Sequence, residues 1–408
     1  MPKKSLLIAL GSTGQRIVDG VLRRVHWEYG GQQYTPWVRV LNLETDARGR
    51  GEYIRDEDML ILKVDDAQKS ALIQQPENYA LSMDLPAWMD RATFNIPGAL
   101  NGTGAGNIRM FGRLGFLFPD NFVGRDGRPG LIGMLRQRLL DLQRLQVCDD
   151  VRSVKPDGTM EQITFPPEDP LTVYVIGTLC GGTAGGCCVD FGYLLRRLAN
   201  DLNFGAQLLL RIGIFTIPAV GEPNEVRKQN AYAALIELNH FHCSDAKPYE
   251  AIFPDEPGHK FVAPSEKPYD YIFLTQPRQP TQEAERLLND SLAQYLYTDI
   301  FLGHTQAVVA ARSNVGLNLI NTDRKGAPEA YLTLGISSLE FPAQQVMEGC
   351  TARLLKGMFD RWLTPYKESA PGELITRVRE SLGLTEEQIR GTLLRLEGAD
   401  ALSLRERL

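Results

Sequence analysis

The sequence predicts an α/β protein: a parallel sheet with helices on both of its faces. Short apolar runs at 6–10 and 171–176 have the length of buried strands, and helical apolar stripes alternate with such runs along the chain. Polar or glycine-rich turns follow several of these runs. In sheets of this kind ligands bind outside the carboxyl ends of the strands, so these turns predict a binding site at that edge.

Size and composition are those of an ordinary globular protein. The chain has 408 residues, of which 43% are apolar and 23% charged, and its net charge is −6. This charge argues against nucleic acid as a partner. No apolar stretch approaches the roughly 20 residues of a membrane span. The six cysteines lack the spacing of a disulfide framework, so we expect a cytoplasmic protein.

The first half of the chain begins with a strand at 6–10, a turn at Gly11-Ser12-Thr13-Gly14 and a helix with an apolar stripe from Ile17 to Val25. The elements predicted next are strands at 38–43 and 59–64, a polar connection at 66–95 with a helix near 67–73, helices at 110–118 and 131–145, and an exposed hairpin or loop at 149–170.

The second half begins with the strand at 171–176, and a helix follows the glycine cluster at 177–186. The elements predicted after it are a strand at 207–217, a helix at 224–241, a strand at 269–274, a long central helix at 281–311, a strand at 331–341 and charged helices from 343 onward. We divide the chain into a domain at 1–280, the central helix, and a divergent, mostly helical C-terminal region at 312–408. Because the helical pattern continues to the last residue, the chain could be a fragment of a longer protein.

The glycine cluster has the layout of a phosphate cradle, with a strand before it and a helix after it. Glycines let the backbone approach a phosphate closely, and a helix N-terminus favours anionic oxygens. The cluster is neither a lysine-bearing P-loop nor a GxGxxG fingerprint. A turn that only permits close strand–helix packing is the alternative.

The segment Cys180-Gly181-Gly182-Thr183-Ala184-Gly185-Gly186 resembles the GGGTGTG signature of the tubulin/FtsZ superfamily. Three earlier turns resemble its other phosphate loops, in the same order. They are Gly11-Ser12-Thr13-Gly14, then Thr45-Asp46 in a string similar to NTDA, then Gly104-Ala105-Gly106-Asn107, which is similar to GLGAGAN. The resemblance implies that these segments bind GTP or GDP, with Mg²⁺ near Asp46 through water.

Two further segments resemble the sugar and base contacts of the superfamily. Glu222 and Arg227 resemble its Pro–Glu–Arg loop, so Glu222 would accept the ribose hydroxyls, with Glu225 as the alternative. Asn289 and Asp290 resemble the ANDVL string. A carboxylate at Asp290 can accept hydrogen bonds from N1 and N2 of guanine, a pair of donors that adenine lacks, which favours GTP over ATP.

A last segment resembles the catalytic GLxNxDxxD pattern. It keeps Asn321 and Asp323 but has Gly326 at the second acid position. The resemblance, nearest to divergent bacterial tubulin-like proteins, implies head-to-tail self-assembly, in which this loop of one subunit completes the GTPase site of the next. Because the second acid is missing, we expect slow or assembly-dependent hydrolysis.

Two alternatives remain open. One is a scaffold that binds GTP without hydrolysing it and presents a surface to a protein partner. The other is a dinucleotide-dependent oxidoreductase, which the first strand–turn–helix unit and Glu44 at the end of the second strand favour. The glycine spacing and the lack of a hydride-transfer site argue against the oxidoreductase.

Overall fold

Most strands of the structure, a computed structural model, belong to one parallel sheet. In chain order the strands are β1 (Ser5–Leu10), β2 (Val38–Glu44), β3 (Met59–Ile61), β4 (Gly124–Arg125), β5 (Arg128–Pro129), β6 (Val147–Val154), β7 (Met160–Thr164), β8 (Leu171–Thr178), β9 (Leu209–Thr216), β10 (Tyr249–Ile252), β11 (Lys260–Ala263), β12 (Tyr271–Thr275) and β13 (Tyr331–Leu332). The main sheet has the order β13-β12-β9-β8-β1-β2-β3, and all of its neighbours pair in parallel. The predicted parallel sheet is therefore confirmed.

The structure describes residues 2–88, 100–154, 159–205, 209–242, 247–263, 267–302, 331–333, 343–363, 371–383 and 385–387. The chain divides into two units, Met1–Ile336 and Ser337–Leu408. The main sheet lies in the first unit.

The α-helices of the described residues are α1 (Gly11–Tyr29), α2 (Asp66–Gln74), α3 (Ala80–Met83), α4 (Leu85–Trp88), α5 (Arg109–Leu117), α6 (Pro119–Phe122), α7 (Leu131–Arg144), α8 (Gly182–Asp201), α9 (Glu225–His242), α10 (Gln282–Phe301), α11 (Ala343–Leu363) and α12 (Pro371–Ser381). The last two belong to the second unit, and confirm the predicted helical character of the C-terminal region.

The main sheet has a hydrophobic core on each face. Alternate residues of β1 point to opposite sides, so Leu6 and Ile8 join one core while Leu7 and Ala9 join the other. The core around Leu6 contains apolar residues of α5, α7 and α8, whereas the core around Leu7 contains those of α1 and α10. Helices therefore cover both faces, as predicted.

The predicted turn from Gly11 to Gly14 is wrong, because these residues form the first turn of α1. The backbone φ of Gly11 is 72°, a left-handed value that glycine adopts without steric cost. This single residue redirects the chain from β1 into α1. The side chains of Ser12 and Thr13 are thus held at a helix N-terminus.

Helices α5 and α8 pack backbone against backbone. A Cβ atom added to Gly112 of α5 would lie 2.0 Å from the carbonyl oxygen of Gly182 in α8. Only glycine permits so close an approach. The contact holds the loop 102–107, which precedes α5, beside the start of α8.

Several boundaries differ from the sequence predictions. The third strand ends at Ile61 rather than residue 64, and the hairpin β10–β11 was not predicted. The exposed hairpin or loop expected at 149–170 corresponds to the hairpin β6–β7, whose first strand begins two residues earlier, at Val147. Helix α10 corresponds to the predicted central helix up to Phe301, and β13 corresponds to the start of the strand at 331–341. Residues 303–330 and 334–342 lie outside the described part of the chain.

Candidate functional site

Four chain segments meet at the carboxyl edge of the main sheet. Strands β1 and β8 lead into α1 and α8, β2 leads into the loop 45–48, and the loop 102–107 precedes α5. Beside them lies a cavity of about 290 Å³, here named the edge cavity. It is lined by Ser12, Thr13, Arg16, Asn107, Thr178, Cys180, Gly181, Thr216, Ile217, Asn224, Arg227, Pro277, Glu285, Leu288 and Asn289.

The N-terminal ends of α1 and α8 lie side by side at this cavity. Their preceding strands are paired, with Leu10 opposite Gly177. Neither N-cap residue, Leu10 or Gly181, contributes a side-chain hydrogen bond to its helix. Because the first N–H groups of a helix have no intrahelical acceptor, and the helix dipole favours negative charge there, the paired ends suit an anion such as phosphate.

The hydroxyl of Thr45 joins three of the four segments. Its Oγ1 atom lies 2.9 Å from Oγ1 of Thr183 in α8, and it accepts a hydrogen bond of 3.1 Å from the N–H of Ala105. Both threonine side chains are buried. This arrangement makes Thr45 the junction between the loop 45–48, the loop 102–107 and the first turn of α8.

Backbone hydrogen bonds connect the same two loops. The N–H of Gly104 donates to the carbonyl of Thr45 at 3.0 Å, and the N–H of Ala47 donates to the carbonyl of Gly102 at 2.9 Å. The predicted phosphate segments at 45–46, 104–107 and 181–185 are therefore neighbours in space although they are distant in sequence.

Not every predicted phosphate residue faces the edge cavity. Ser12, Thr13, Asn107 and Gly181 line it. The other positions predicted to contact the phosphates do not line the cavity: Gly11, Gly14, Thr45, Asp46, Gly104, Ala105, Gly106, Gly182, Thr183, Ala184 and Gly185.

A buried carboxyl group, Glu44, holds the loop 45–48 in place. Its Oε1 atom accepts hydrogen bonds from the N–H groups of Thr45 at 2.8 Å and Asp46 at 3.2 Å. Burial raises the pKa of Glu44 above its usual value, because desolvation penalises the charged form more than these bonds favour it. Glu44 thus orients the loop 45–48 through hydrogen bonds to its backbone.

Asp46, the predicted magnesium contact, forms a two-pronged ion pair with Arg48. The Arg48 Nε and Nη2 atoms lie 2.8 and 2.7 Å from the two carboxylate oxygens. This pairing lowers the pKa of Asp46 to about 2. The carboxylate is therefore ionised at neutral pH, but both oxygens are held by Arg48. Within the described residues, no group of three or more His, Cys, Asp or Glu side chains forms a metal cluster.

Charged side chains of α9 and α10 form the opposite side of the cavity. Arg227 makes ion pairs with Glu285 of α10 and, at 3.4 Å, with the buried Glu222. Glu222 also accepts a hydrogen bond from the N–H of Asn224 at 3.1 Å. Glu225, the alternative to Glu222, is exposed and pairs with Lys228. Of the two acids, Glu222 is the one in contact with a residue that lines the cavity.

Asn289 and Asp290 are the eighth and ninth residues of α10, and their side chains line different cavities. Asn289 is buried and lines the edge cavity, as does Leu288 before it. Asp290 instead lines an adjoining cavity of about 640 Å³, together with Arg16, Glu222 and Arg227. Its carboxylate lies 3.5 Å from Arg23 of α1 and is partly exposed.

The structure adds cavity residues that the sequence interpretation missed. Arg16 follows Ser12 by one helical turn, and Glu285 precedes Asn289 by one turn, so helical spacing could have identified both. Thr178 and Thr216 are opposite one another at the ends of β8 and β9, where strand ends predict ligand contacts. The predicted catalytic residues Asn321 and Asp323, with Gly326, lie outside the described residues.

Comparison with known proteins gives a family. A family model described as "Tubulin like" matches residues 6–360. No curated protein sequence matches the chain. Among the described residues, none of the helices combines the length and apolar character needed to cross a bilayer.

Solved structures that match the chain include CetZ from Methanosaeta thermophila, with 15% identity over 72% of this chain and 53% of that one, and a TM-score of 0.37. The GTPγS-bound protofilament of CetZ2 from Haloferax volcanii matches with 12% identity over 79% and 72% of the two chains, TM-score 0.36. The GTPγS-form protofilament of Bacillus thuringiensis TubZ matches with 12% identity over 72% and 55%, TM-score 0.36. The chain thus spans about half the length of the CetZ from M. thermophila.

Proposed function

The chain belongs to the tubulin-like family, and from that premise we propose that it binds GTP or GDP at the edge cavity and assembles head to tail with other copies of itself. The observation that carries the proposal is the meeting of two helix N-termini with the loops 45–48 and 102–107, which Thr45 joins at 2.9 and 3.1 Å. GTPγS-bound protofilaments of CetZ2 and TubZ, two matching proteins, are consistent with it.

The phosphates would lie at the N-termini of α1 and α8. The unpaired N–H groups of these helix starts can donate to phosphate oxygens, and the hydroxyls of Ser12 and Thr13 add two further donors. Arg16 supplies a cation at the same cavity and makes no ion pair with the described residues. These groups suit the charge of a nucleoside triphosphate.

The base and the ribose would lie toward α9 and α10. A carboxylate at Asp290 would accept the N1 and N2 donors of guanine, and the Asn289 amide would add a contact from inside the cavity. Glu222 would accept the ribose hydroxyls, since it lines the adjoining cavity and pairs with Arg227.

The protein groups near the proposed phosphate position would contact Mg²⁺ through water rather than directly. Asp46 offers one carboxylate, and Arg48 already holds both of its oxygens. Magnesium keeps several waters and needs few protein carboxylates, so Asp46 would meet it through water while its ion pair stays intact. Bound magnesium would neutralise part of the phosphate charge.

We assign hydrolysis to a site shared between subunits. The segment with Asn321 and Asp323 would enter the nucleotide site of the next copy, where a carboxylate can orient the attacking water. A head-to-tail interface of this kind repeats into a filament unless it closes into a ring. Gly326, at the second acid position, favours slow turnover and supports a second candidate: a GTP-binding scaffold that does not hydrolyse its nucleotide.

Nucleotide identity is the first test. We expect the purified protein to release GTP or GDP on denaturation, and GTP to raise its melting temperature more than ATP or NAD does. Release of NAD, or stabilisation by ATP equal to that by GTP, would contradict the proposal.

The role of Asp290 can be tested on the base itself. Asp290→Asn should reduce the preference for GTP over ITP, which lacks the N2 amine, because the variant amide replaces one of the two acceptor oxygens with an NH2 donor. Glu283→Gln is the matched control, since Glu283 is an exposed acid of the same helix that pairs with Arg286. An unchanged ratio of GTP to ITP affinity in Asp290→Asn would exclude this role.

Assembly and hydrolysis separate the two candidate functions. Sedimentation with GTP, with GDP and without nucleotide should show more pelleted protein with GTP, and identical pelleting would contradict assembly driven by GTP. Phosphate release that disappears in Asp323→Ala supports the GTPase. Firm retention of GTP without phosphate release supports the scaffold.

A further inference from the structure

We propose that Asn230 of α9 is a positioning residue for the phosphate groups of the bound nucleotide. Its side-chain amide holds two loop carbonyls away from the phosphates, so that N–H groups of the same loops remain available to them. The inference rests on the proposed function, because it assigns a residue to the same nucleotide site.

A single nitrogen of Asn230 bridges two segments that are distant in sequence. The Nδ2 atom donates to the carbonyl of Asn107 at 2.8 Å and to the carbonyl of Cys180 at 3.1 Å. Asn107 and Cys180 both line the edge cavity, whereas Asn230 does not. The amide therefore acts on the loops from outside the cavity.

The bond to Cys180 determines which way one peptide group faces. In a trans peptide the C=O and N–H groups point in opposite directions, so a carbonyl of Cys180 turned toward α9 turns the N–H of Gly181 away from α9. Gly181 is the N-cap of α8 and lines the cavity. Gly181 closes the turn at 179–180, but its N–H makes no hydrogen bond of normal geometry with a described residue, so an anionic oxygen can compete for it.

The bond to Asn107 stabilises a turn with unusual backbone geometry. Asn107 has a φ of 59°, and the N–H of Ile108 in the next peptide donates to the carbonyl of Ala105 at 2.9 Å. The Asn107–Ile108 peptide is thus held through its carbonyl by Asn230 and through its N–H by Ala105. Loss of the Asn230 amide would release one of these two restraints.

A second donor acts on the same segment in a similar way. Arg109 donates from Nε to the carbonyl of Gly185 at 2.7 Å, and its guanidinium also pairs with Glu237 of α9. Helix α9 therefore acts on the phosphate segments at two places: Asn230 directly, and Glu237 through Arg109. Of these, only the Asn230 amide contacts both the loop 102–107 and the residue preceding Gly181.

The test compares four proteins: the unchanged chain, Asn230→Ala, Asn230→Asp and the control Gln229→Ala, an exposed neighbour on α9. Dissociation constants are measured for GTP and for guanosine, which lacks phosphates. Asn230 is partly exposed and alanine is a better helix former, so the fold should survive, which the melting temperature without ligand will verify.

We expect Asn230→Ala to weaken GTP binding by ~10-fold, the size of two lost hydrogen bonds, and to leave guanosine binding unchanged. Asn230→Asp should weaken GTP binding further, because a carboxylate cannot donate and adds negative charge near the phosphates. GTP affinity within twofold of the unchanged chain in both variants, or an equal loss for GTP and guanosine, would overturn the inference. Failure of the unchanged chain to bind GTP and GDP would instead overturn the proposed function.

Discussion

The two sides of the edge cavity are built from different chemical groups. One side, here the strand side, consists of helix starts and glycines, which the buried hydroxyls of Thr45 and Thr183 connect without lining the cavity themselves. The other, the helix side, consists of Arg227 of α9 and Glu285 of α10, together with Glu222, which pairs with Arg227 and lines the adjoining cavity. The strand side depends on close packing and short neutral hydrogen bonds, whereas the helix side depends on charge balance. Substitutions on the strand side should therefore lower mainly the free energy of unfolding. Substitutions on the helix side should change mainly the affinity for GTP and its dependence on salt concentration.

The largest effect is expected from Gly112→Ala on the strand side. The new methyl would lie 2.0 Å from the Gly182 carbonyl oxygen, so α5 and α8 must separate. Overpacking of this kind should lower the free energy of unfolding by about 3 kcal/mol, measured by urea denaturation, and GTP binding should be lost. Gly133→Ala in α7 is the control, because its methyl would meet only a side-chain atom at 3.6 Å. Equal stability of the two variants would show that α5 and α8 can separate without cost.

Removal of the Thr45 hydroxyl should have the next largest effect. Thr45→Val keeps the shape of the side chain but leaves the N–H of Ala105 without its acceptor. An unsatisfied buried group should cost about 2 kcal/mol in the free energy of unfolding, with little dependence on salt. Thr164→Val, at an exposed position of β7, is the matched control. If Thr45→Val unfolds like its control, the hydroxyl is not the junction described above.

On the helix side, Arg227→Met should affect binding more than folding. Glu222 would lose its ion-pair partner at the cavity, so GTP affinity should fall ~10-fold through the added negative potential. The unchanged chain should lose affinity more steeply with rising salt than the variant does. Arg125→Met, which removes an exposed arginine that pairs with Asp120 and lines neither cavity, serves as control. Parallel salt dependence in the unchanged chain and Arg227→Met would remove the electrostatic distinction between the two sides.

The smallest effect is expected from Arg48→Ala, because its ion pair with Asp46 is largely exposed. We expect the midpoint of urea unfolding at pH 7 to stay close to that of the unchanged chain, because exposed ion pairs contribute little to stability. Asp46 has a folded pKa of about 2, below the usual 3.8. Its contribution is therefore complete above pH 3.8 and disappears as the pH falls through 2. In the variant, the pKa of Asp46 measured by NMR titration should rise toward 3.8, and a value that stays near 2 would show that Arg48 is not the cause.

The elements around the cavity were predictable because their buried faces are apolar. Strand β8 is buried over most of its length, and the apolar stripe of α1 faces a core. Those patterns determine the secondary structure. Because ligands bind outside the carboxyl ends of parallel strands, they also determine at which edge of the sheet the binding turns lie. They do not specify where each element begins, which is why the glycines after β1 were interpreted as a turn.

The contacts within the site were not predictable, since they join residues that are far apart in the chain. Thr45 and Thr183 are separated by 138 positions, and Arg227 and Glu285 by 58. The sequence indicated each residue of the first pair separately, through resemblance, but no spacing rule connects them. Asp46 had been expected near a metal, and its pairing with Arg48 two residues later appears only in the folded geometry.

The contact between Gly112 and Gly182 limits how this sequence can vary. Since a carbonyl oxygen occupies the space that any larger residue would need, a library of random codons at Gly112 should yield folded clones with glycine almost alone. At Gly133, by comparison, many residues should be accepted. Tolerance to substitution at these two glycines would then differ sharply although both lie within helices of one chain.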